Sequence, residues 1–230
     1  MLYTTPALGQ ATGGMLRPGG LALTAILLEQ CDFAPGGELL DVGCGPGHSL
    51  AFLSETFQVT GLDAAQTMLG KARCTAPRAR LVQGQATDLP FQNASFDAVL
   101  AECVLSLCSE PERMLGEVHR VLRPGAWLML SDLYLKNGKF ESDLPIQAGC
   151  LLHAAPIAKT LAQLDRCGFS VLNWADQSHA LKQLAGQLIF DQGSLESFWS
   201  TILDVEGAQS LCRAVQKSPP GYYTLVARKQ

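Results

Sequence analysis

The sequence of 230 residues has no long apolar run, no cluster of basic residues and no Cys-x-x-Cys pair. Its longest apolar runs are far shorter than the roughly 20 residues that a membrane-spanning helix needs, so we predict no membrane span. The N-terminus lacks a charged segment followed by an apolar one, so no signal peptide is predicted. Without a Cys-x-x-Cys pair a structural zinc site is not expected, and we predict no metal.

Charge and cysteine content narrow the class of protein further. The formal net charge is −4 without any basic run, so a nucleic-acid partner is not expected. The eight cysteines are scattered and not spaced as a disulfide framework, which indicates reduced thiols in a cytoplasmic protein. Hydrophobic residues make up 47% and charged residues 17%, which suits a single domain with a sizeable core. The oligomeric state is left open.

What the sequence does contain is a regular alternation of short apolar runs and helical patterns. Strands are predicted at 38–42, 57–62, 79–83, 95–101 and 126–130, with helices at 48–56, 64–74 and 110–122 between them. Residues 109–112 have the form of a capping box at the start of the last helix. Strands separated by helices indicate right-handed crossovers and a parallel sheet, hence an α/β fold.

The second half of the chain is less regular. Helices are predicted at 157–166, 179–190 and 195–215, and strands at 169–174 and 222–228. We interpret 1–230 as one domain, with an N-terminal lid or helix over 1–35 and a helical cap inserted at about 179–217. The aromatic residues predicted to form the core of the cap are Trp174, Phe190, Phe198 and Trp199.

The most informative stretch is the glycine-rich turn Asp41-Val42-Gly43-Cys44-Gly45-Pro46-Gly47. Glycine has no β-carbon, so such a turn lets a bulky ligand approach the backbone, and the helix start that follows adds free amides. Its glycines fall at every second position, unlike the dinucleotide fingerprint G-x-G-x-x-G, and the Gly-Lys-Ser/Thr of a P-loop is absent. The turn therefore predicts a cofactor site of another kind.

Asp63 ends the next predicted strand, about twenty residues downstream. In doubly wound folds an acid at this place accepts hydrogen bonds from ribose hydroxyls. The alternative is that Asp63 only caps the following helix. Because the glycine turn and Asp63 both indicate a cofactor site, we favour a cofactor that carries a ribose.

Together with later segments, these features resemble class I S-adenosylmethionine-dependent methyltransferases of the type 11 or quinone-biosynthesis kind. The resemblance runs from about Leu39 to Tyr134 and comprises DVGCGPG at 41–47, GLD at 61–63, GQATDLPF at 84–91, SFDAVLAECVL at 95–105 and EVHRVLRPG at 117–125. It implies a doubly wound, Rossmann-like, seven-stranded and mostly parallel sheet with helices on both faces and an antiparallel last strand. It also implies S-adenosyl-L-methionine as cofactor and a small-molecule acceptor as substrate.

The same resemblance implies which residues bind the cofactor. The turn would contact the methionine moiety, the acid after the second strand the ribose, and the segment after the third strand the adenine. Gln85 stands where relatives usually carry Asp, and its amide oxygen can also accept a hydrogen bond. The predicted cofactor-binding residues are Asp41, Gly43, Cys44, Gly45, Gly47, Asp63, Ala64, Met68, Gln85, Ala86, Ala101 and Glu102.

A narrower resemblance concerns the methyl acceptor. The segments 103–107, 117–122, 131–134 and 149–151 are similar to those of arsenite methyltransferases, in which two cysteines hold trivalent arsenic beside the methyl donor. Cys103 and Cys150 occupy the matching positions, and thiolates are suitable ligands for a thiophilic centre. The Tyr-Gly-Cys-Gly segment that this family carries upstream of the first strand is absent here, and Cys31 lies in that region in a helix-like context. The alternative for both residues is a buried thiol without a catalytic role.

Other residues and functions also remain open. His153 follows Cys150 closely and is a candidate for lining the acceptor pocket as a catalytic base. Arg17 either pairs with the cofactor carboxylate or is a solvated loop arginine, and we favour the loop arginine. The alternatives to a thiophilic acceptor (arsenite or thiol) are a small organic or quinone-like acceptor, or a protein that binds the cofactor without catalysis.

Overall fold

The computed structural model describes residues 9, 10, 14, 17–136, 138 and 146–230. Its centre is one sheet with the strand order β3-β2-β1-β4-β5-β8-β7, and the two-residue strand β6 pairs with β5 outside this path. The pairs among β1 to β5 are all parallel, whereas β8 is antiparallel to both β5 and β7. This confirms the predicted doubly wound α/β fold with an antiparallel last strand.

The bounds of the elements, in chain order, lie close to those predicted. The strands are β1 Glu38–Val42, β2 Gln58–Asp63, β3 Arg80–Gln83, β4 Phe96–Glu102, β5 Leu122–Leu135, β6 Ala155–Pro156, β7 Phe169–Asp176 and β8 Pro220–Lys229. The helices are α1 Gly20–Leu28, α2 His48–Leu53, α3 Gln66–Thr75, α4 Pro111–Val121, α5 Ile157–Arg166, α6 Ser178–Gln192, α7 Leu195–Trp199 and α8 Val205–Lys217. Two 3-10 helices, Leu105–Leu107 and Ile146–Leu151, follow β4 and precede β6.

The sheet is buried on both faces. Successive residues of the inner strand β1 point to opposite faces of the sheet. Leu39 and Leu40 of β1 are both fully buried, yet they belong to different apolar clusters. The helix α4 covers one face with Met114, Leu115 and Val118, which are fully buried at helical spacing. A parallel sheet covered on both faces is the arrangement that crossover helices produce.

Four local expectations differ from the structure. The predicted helix 195–215 is two helices, because Asp204 accepts a hydrogen bond from the Gly207 amide and thereby starts α8. The capping box is not formed, since Glu110 is the N-cap of α4 and makes no side-chain cap. Strand β5 begins at Leu122, with an irregularity between Phe96 and Ala98 of its partner. Helix α2 ends at Leu53, so it is shorter than predicted.

The segments predicted as lid and cap contain helices, but two of the four aromatic residues predicted to form the core of the cap were placed wrongly. Helix α1 lies within 1–35, although residues 1–8, 11–13, 15 and 16 are outside the described residues. Helices α6 to α8 separate β7 from β8, and Phe198 is buried among them. Phe190 is 85% exposed, whereas Trp174 packs on the main core beside Tyr134. Among the described residues, no helix has the length and hydropathy that crossing a bilayer requires.

Candidate functional site

The functional site is built where the connections of the sheet change direction. Strand β1 lies between β2 and β4, so the chain leaves it on one side for β2 and returns on the other for β4. In open α/β sheets a crevice forms at this point, outside the carboxyl ends of the strands. The predicted site residues Asp41, Asp63 and Glu102 lie at the carboxyl ends of β1, β2 and β4.

The glycine turn follows β1 and has a conformation that suits glycine. Gly43, Gly45 and Gly47 have φ angles of 72°, 52° and 87°, in the left-handed region. A β-carbon on Gly43 would lie 2.5 Å from Cγ2 of Val104, and one on Gly47 would lie 3.0 Å from Cα of Ala72. A β-carbon on Gly45 would meet nothing within 4 Å. The turn is therefore packed on two sides and open at Gly45.

The amides of the turn itself are used in hydrogen bonds inside the protein. The amides of Gly43 and Cys44 donate to the Leu62 carbonyl oxygen at 2.7 and 3.0 Å, and that of Gly47 to the Cys44 carbonyl oxygen at 3.0 Å. The side chain of Cys44 is buried in the core, where a β-carbon on Gly61 would come within 2.9 Å of its sulfur. Only the backbone of Cys44 can therefore line the crevice, because its thiol lies in the core.

Asp63 joins the turn to the second strand. Its carboxylate accepts one hydrogen bond from the Gly45 amide at 2.9 Å and another from the Ala65 amide at 2.8 Å. Ala65 is the N-cap residue of α3, so the helix-capping alternative for Asp63 is correct in part. The hydrogen bond from the Gly45 amide is not part of helix capping, because it fixes the open part of the glycine turn to the carboxyl end of β2.

Arg17 reaches the same crevice from the N-terminal segment. Its guanidinium lies 2.9 Å from Glu102, and the two side chains are only 7% and 5% exposed. It also donates to Ser49 Oγ at 3.1 Å, while Ser49 and Thr24 donate to the two oxygens of Glu102 at 2.7 and 3.0 Å. The prediction of a solvated loop arginine is therefore wrong. The Nε of Arg17 is buried and has no hydrogen-bond partner among the residues that the structure describes.

Buried charge shifts the titration of these groups. Burial raises the pKa of Asp41 well above its usual range, and the neighbouring Glu102 and Asp63 carboxylates raise it further, against the opposing effect of Arg17. Burial opposes the charge of Arg17, but Glu102 together with Tyr222, Cys103 and Asp41 outweighs it, so the pKa of Arg17 lies above its usual value. The crevice thus holds three carboxylates and one guanidinium at close quarters.

The remaining predicted cofactor residues make no described hydrogen bond to residues 43–47 of the glycine turn. Met68 of α3 and Ala101 of β4 are buried, and Ala64 is exposed directly after Asp63. The carbonyl oxygen of Gln85 accepts from the Asp88 amide at 3.1 Å, so Gln85 and Ala86 lie in a short turn after β3.

Cys103 and Cys150, the predicted acceptor residues, are brought together although they are far apart in the sequence. The Cys150 thiol donates to the Cys103 carbonyl oxygen at 3.3 Å, and the Cys103 sulfur lies 3.3 Å from the Tyr222 hydroxyl. Cys103 has a φ of 57°, which a non-glycine residue rarely adopts, and its amide donates to the Ser131 carbonyl oxygen at 2.8 Å. Contact with Cys150 and burial raise the pKa of the Cys103 thiol.

A third polar group beside the two thiols was not assigned a role from the sequence. Asp132 is 1% exposed, and its carboxylate accepts from the backbone amides of Ser106 and Leu133 at 3.0 and 2.7 Å and from the Ser106 hydroxyl. Burial raises the pKa of Asp132 to about 6, although the hydrogen bonds oppose the shift. Asp132 lies near the carboxyl end of β5 as Asp63 lies at that of β2, so the rule that found Asp63 also pointed here.

His153 lies beside the cavity that Asp132 also lines. The two residues line one cavity, together with Leu105, Ser106, Pro111, Leu133, Ala155, Lys159, Thr160, Gln163 and Tyr223. The amide of His153 donates to the Ser106 carbonyl oxygen at 3.1 Å. The structure thus associates His153 with the Asp132 carboxylate and gives it no described contact with Cys150. The other residues missed from the sequence are Thr24, Ser49 and Tyr222, which carry no local motif.

Comparison with known sequences identifies the family. Residues 40–130 match the sequence model described as a methyltransferase domain. An uncharacterized methyltransferase of Synechocystis sp. is 38% identical over 155 residues, which cover 63% of this chain and 72% of that protein. The arsenite methyltransferase of Halobacterium salinarum is 28% identical over 160 residues, which cover 64% of this chain and only 41% of that protein.

Comparison with solved structures shows the same fold. The crystal structure of the [4+2]-cyclase SpnF has a TM-score of 0.79 and 27% identity, with 99% of this chain and 92% of that chain covered. Phosphoethanolamine N-methyltransferase 2 of Haemonchus contortus, in complex with S-adenosyl-L-methionine, has a TM-score of 0.77 and 17% identity, with 97% of this chain and 56% of that chain covered.

Proposed function

The chain belongs to the methyltransferase domain family, and from this premise we propose that it transfers the methyl group of S-adenosyl-L-methionine to a small-molecule acceptor. The observation that carries the proposal is the glycine turn that is open at Gly45 and fixed by Asp63. The eight cysteines, all within the described residues, form no disulfide, which supports a reducing, cytoplasmic setting.

The residues of the crevice fit this cofactor. At Gly45 a β-carbon would project into open space, so a ligand can approach the backbone there. The carboxylates of Asp41, Asp63 and Glu102 suit a ligand with a sulfonium and an ammonium group. The buried Nε of Arg17, for which the described part of the chain supplies no partner, suits its carboxylate. The glycine turn would hold the methionine part of the cofactor and Asp63 its ribose. Gln85 and Ala86 would hold the adenine.

The protein's contribution to methyl transfer is alignment. When bound, the cofactor supplies an electrophilic methyl group on a sulfonium, which transfers by in-line displacement. Asp63 and Glu102 hold the turn and Arg17 in fixed places through hydrogen bonds, so the donor position needs little rearrangement. Holding donor and acceptor in line accounts for several kcal/mol of the barrier in reactions of this type.

For the acceptor we propose a thiophilic centre, arsenite or a thiol, bound at Cys103 and Cys150. The two buried thiols lie close together, Cys103 directly after Glu102 at the carboxyl end of β4 and Cys150 in the 3-10 helix Ile146–Leu151. Thiolates are good ligands for soft centres, and an arsenic lone pair needs no general base. The similarity to the arsenite methyltransferase supports this acceptor, although the chain spans less than half of that protein.

Two alternatives have observations in their favour. The Asp132 carboxylate and His153, which share a cavity, favour an organic acceptor that must lose a proton. The [4+2]-cyclase SpnF is named for a reaction that is not methyl transfer, and its chain is of nearly the same length. This similarity favours a protein that binds the cofactor for another purpose, because one fold can host several activities.

Calorimetry of the reduced protein tests the cofactor. We expect S-adenosyl-L-methionine and S-adenosylhomocysteine to bind with one site each. A protein that binds neither compound contradicts the proposed function. If binding occurs but no acceptor in a panel of thiols, arsenite and quinols is methylated, the alternative of binding without methyl transfer is favoured.

Arsenite titration tests the acceptor, with Cys74 as a control because its side chain is exposed and remote from the cluster. Cys103→Ser and Cys150→Ser should each reduce arsenite affinity at least tenfold, because one soft ligand is lost. Cys74→Ser should leave it unchanged. Equal affinity in all three variants contradicts the thiophilic acceptor without touching the cofactor result.

A further inference from the structure

We infer that Cys103, Cys150 and Asp132 form a binding site for one soft divalent cation of the zinc type, whose remaining coordination position accepts a thiol. The inference rests on the proposed function in that it specifies the acceptor class of the same site. It contradicts the expectation of no metal, which relied on the lack of a Cys-x-x-Cys pair. Such pairs predict only sites whose ligands are close in the sequence.

The distances between the three ligand atoms suit one ion. The two sulfur atoms and a carboxylate oxygen all lie within 4.8 Å of one another. For any three atoms so spaced, one point lies within about 2.8 Å of each, whereas zinc bonds measure about 2.3 Å to sulfur and about 2.0–2.2 Å to oxygen. Small rotations of side chains that are already in contact are enough to close the difference.

The type and number of ligands point to a reactive site. Two thiolates and one carboxylate prefer a soft or borderline ion such as zinc to magnesium or calcium, which take oxygen ligands. Structural zinc sites have four protein ligands, whereas catalytic sites have three and keep the fourth position for water or substrate. The described residues supply three ligands here. The open position is the feature that a substrate site requires.

Hydrogen bonds that orient the three ligands are already present. The Tyr222 hydroxyl lies 3.3 Å from the Cys103 sulfur and donates to Ser131 Oγ at 3.1 Å, which fixes its position beside the Cys103 side chain. Two backbone amides and the Ser106 hydroxyl hold the Asp132 carboxylate. Metal ligands in proteins depend on such partners for their orientation.

The position of the cluster agrees with a role in the reaction. All three ligand residues are buried, which excludes competing water and strengthens their interaction with a cation. The cavity lined by Asp132, Ser106, His153 and Lys159 gives a route from solvent to the carboxylate. Cys103 follows Glu102 in the chain, and Val104 packs on Gly43 of the glycine turn. The cluster is thus adjacent to the proposed donor site.

The chemistry balances without an oxidant or reductant. Binding of the ion releases the protons of the two thiols to solvent. An acceptor thiol that takes the open position loses its proton to solvent in the same way and remains a nucleophilic thiolate at neutral pH. Its sulfur forms a bond to the methyl carbon, the bond from that carbon to the sulfonium sulfur breaks, and the electron pair stays on the departing sulfur. The products are a thioether and the demethylated cofactor.

Titration of the reduced, metal-free protein with Co²⁺ tests the site directly, because cobalt bound to thiolates in a tetrahedral site absorbs in the near ultraviolet and the visible. We expect one equivalent to bind and Zn²⁺ to displace it. Cys103→Ser and Cys150→Ser should abolish the thiolate absorption, and Cys74→Ser should keep it. If the wild type lacks this absorption, or if Cys74→Ser removes it, the inference is wrong.

Asp132 distinguishes the cation site from a simple pair of thiols. Asp132→Asn should weaken Zn²⁺ binding at least tenfold and leave arsenite affinity within twofold, because arsenite needs only the thiols. Ser106→Ala, a milder change, should weaken Zn²⁺ binding about tenfold through the orientation of Asp132. Circular dichroism verifies that each variant is folded. Unchanged Zn²⁺ affinity in both folded variants overturns the site, while cofactor calorimetry on the same samples reports separately on the proposed function.

Discussion

Arg17 and Glu102 form an ion pair of 2.9 Å in which both side chains are almost fully buried. The pair connects the segment before α1 to the end of β4, and Thr24 and Ser49 bind the same carboxylate. A buried charge is tolerated when its partner remains, and is strongly unfavourable when the partner is removed. This pair therefore determines whether the N-terminal segment stays on the cofactor crevice.

Removing the cation should be costly for stability. We expect Arg17→Met to lower the free energy of unfolding by about 3–5 kcal/mol, because Glu102 stays buried beside Asp41. Adding Glu102→Gln should recover part of this loss. Urea unfolding of the two single variants and the double variant measures the coupling. The control is Arg78→Met, whose ion pair with Glu55 is exposed and should contribute less than about 1 kcal/mol.

A substitution in the turn should separate binding from backbone strain. Gly45 and Gly125 both have a left-handed φ, of 52° and 72°, and at both a β-carbon would meet nothing within 4 Å. Alanine at either position should lower stability by roughly 1–2 kcal/mol because of this φ. Only Gly45→Ala should also reduce affinity for S-adenosyl-L-methionine, by tenfold or more, since its methyl group would occupy the open side of the turn. Equal affinities in the two variants, measured by calorimetry, would argue against a cofactor at Gly45.

The raised pKa of Asp132 predicts how stability depends on pH. In the folded state this pKa is about 6, against 3.8 as the usual value, so the protonated form favours folding. The contribution is fully present below about pH 4 and is lost as the pH rises through 6, with a total of about 3 kcal/mol. The Asp132→Asn variant lacks this pH-dependent contribution to stability. The difference in unfolding free energy between wild type and variant should therefore change between pH 4 and 6 and stay constant above pH 7.

Urea unfolding at a series of pH values measures this difference. Asp88→Asn, at an exposed position, serves as the matched control for removing a carboxylate. A pH-independent difference for Asp132→Asn would show that the buried carboxyl does not titrate in this range.

The backbone at Cys103 predicts an unusual order of stability. With a φ of 57°, glycine should be more stable than alanine at this position by about 1 kcal/mol, although both substitutions remove the thiol. At Cys150, whose φ is not positive, alanine should be the more stable replacement. Thermal unfolding of the four variants measures both differences. The same order at both positions would contradict the strain at Cys103.

The sequence predicted those parts of the fold and site that depend on neighbouring residues. The alternation of apolar runs identified the strands of the parallel sheet, and the glycine turn with Asp63 identified the crevice, because both lie within one strand–helix–strand unit. The length of the helix predicted over 195–215 was wrong since a single cap at Asp204 divides it, which an apolar period does not reveal.

What could not be predicted depends on contacts between distant segments. Arg17 resembles any arginine beside Pro18 and Gly19 until α1 and β4 bring Thr24 and Glu102 to it. Asp132 stood in a segment of the resemblance, but its partner Ser106 lies in another connection. Phe190 was assigned to a core by its helical pattern, yet a pattern does not show whether a partner covers that face.

The left-handed backbone at Cys103 has a consequence for anyone who optimises this protein. Among replacements for this cysteine, a design that ranks substitutions by folding stability will prefer glycine, since glycine adopts this φ without strain. The same replacement deletes one of the two buried thiols. Folding stability and the proposed role of the thiol are therefore opposed at a single residue. Selection for heat resistance alone is expected to remove the Cys103 thiol first.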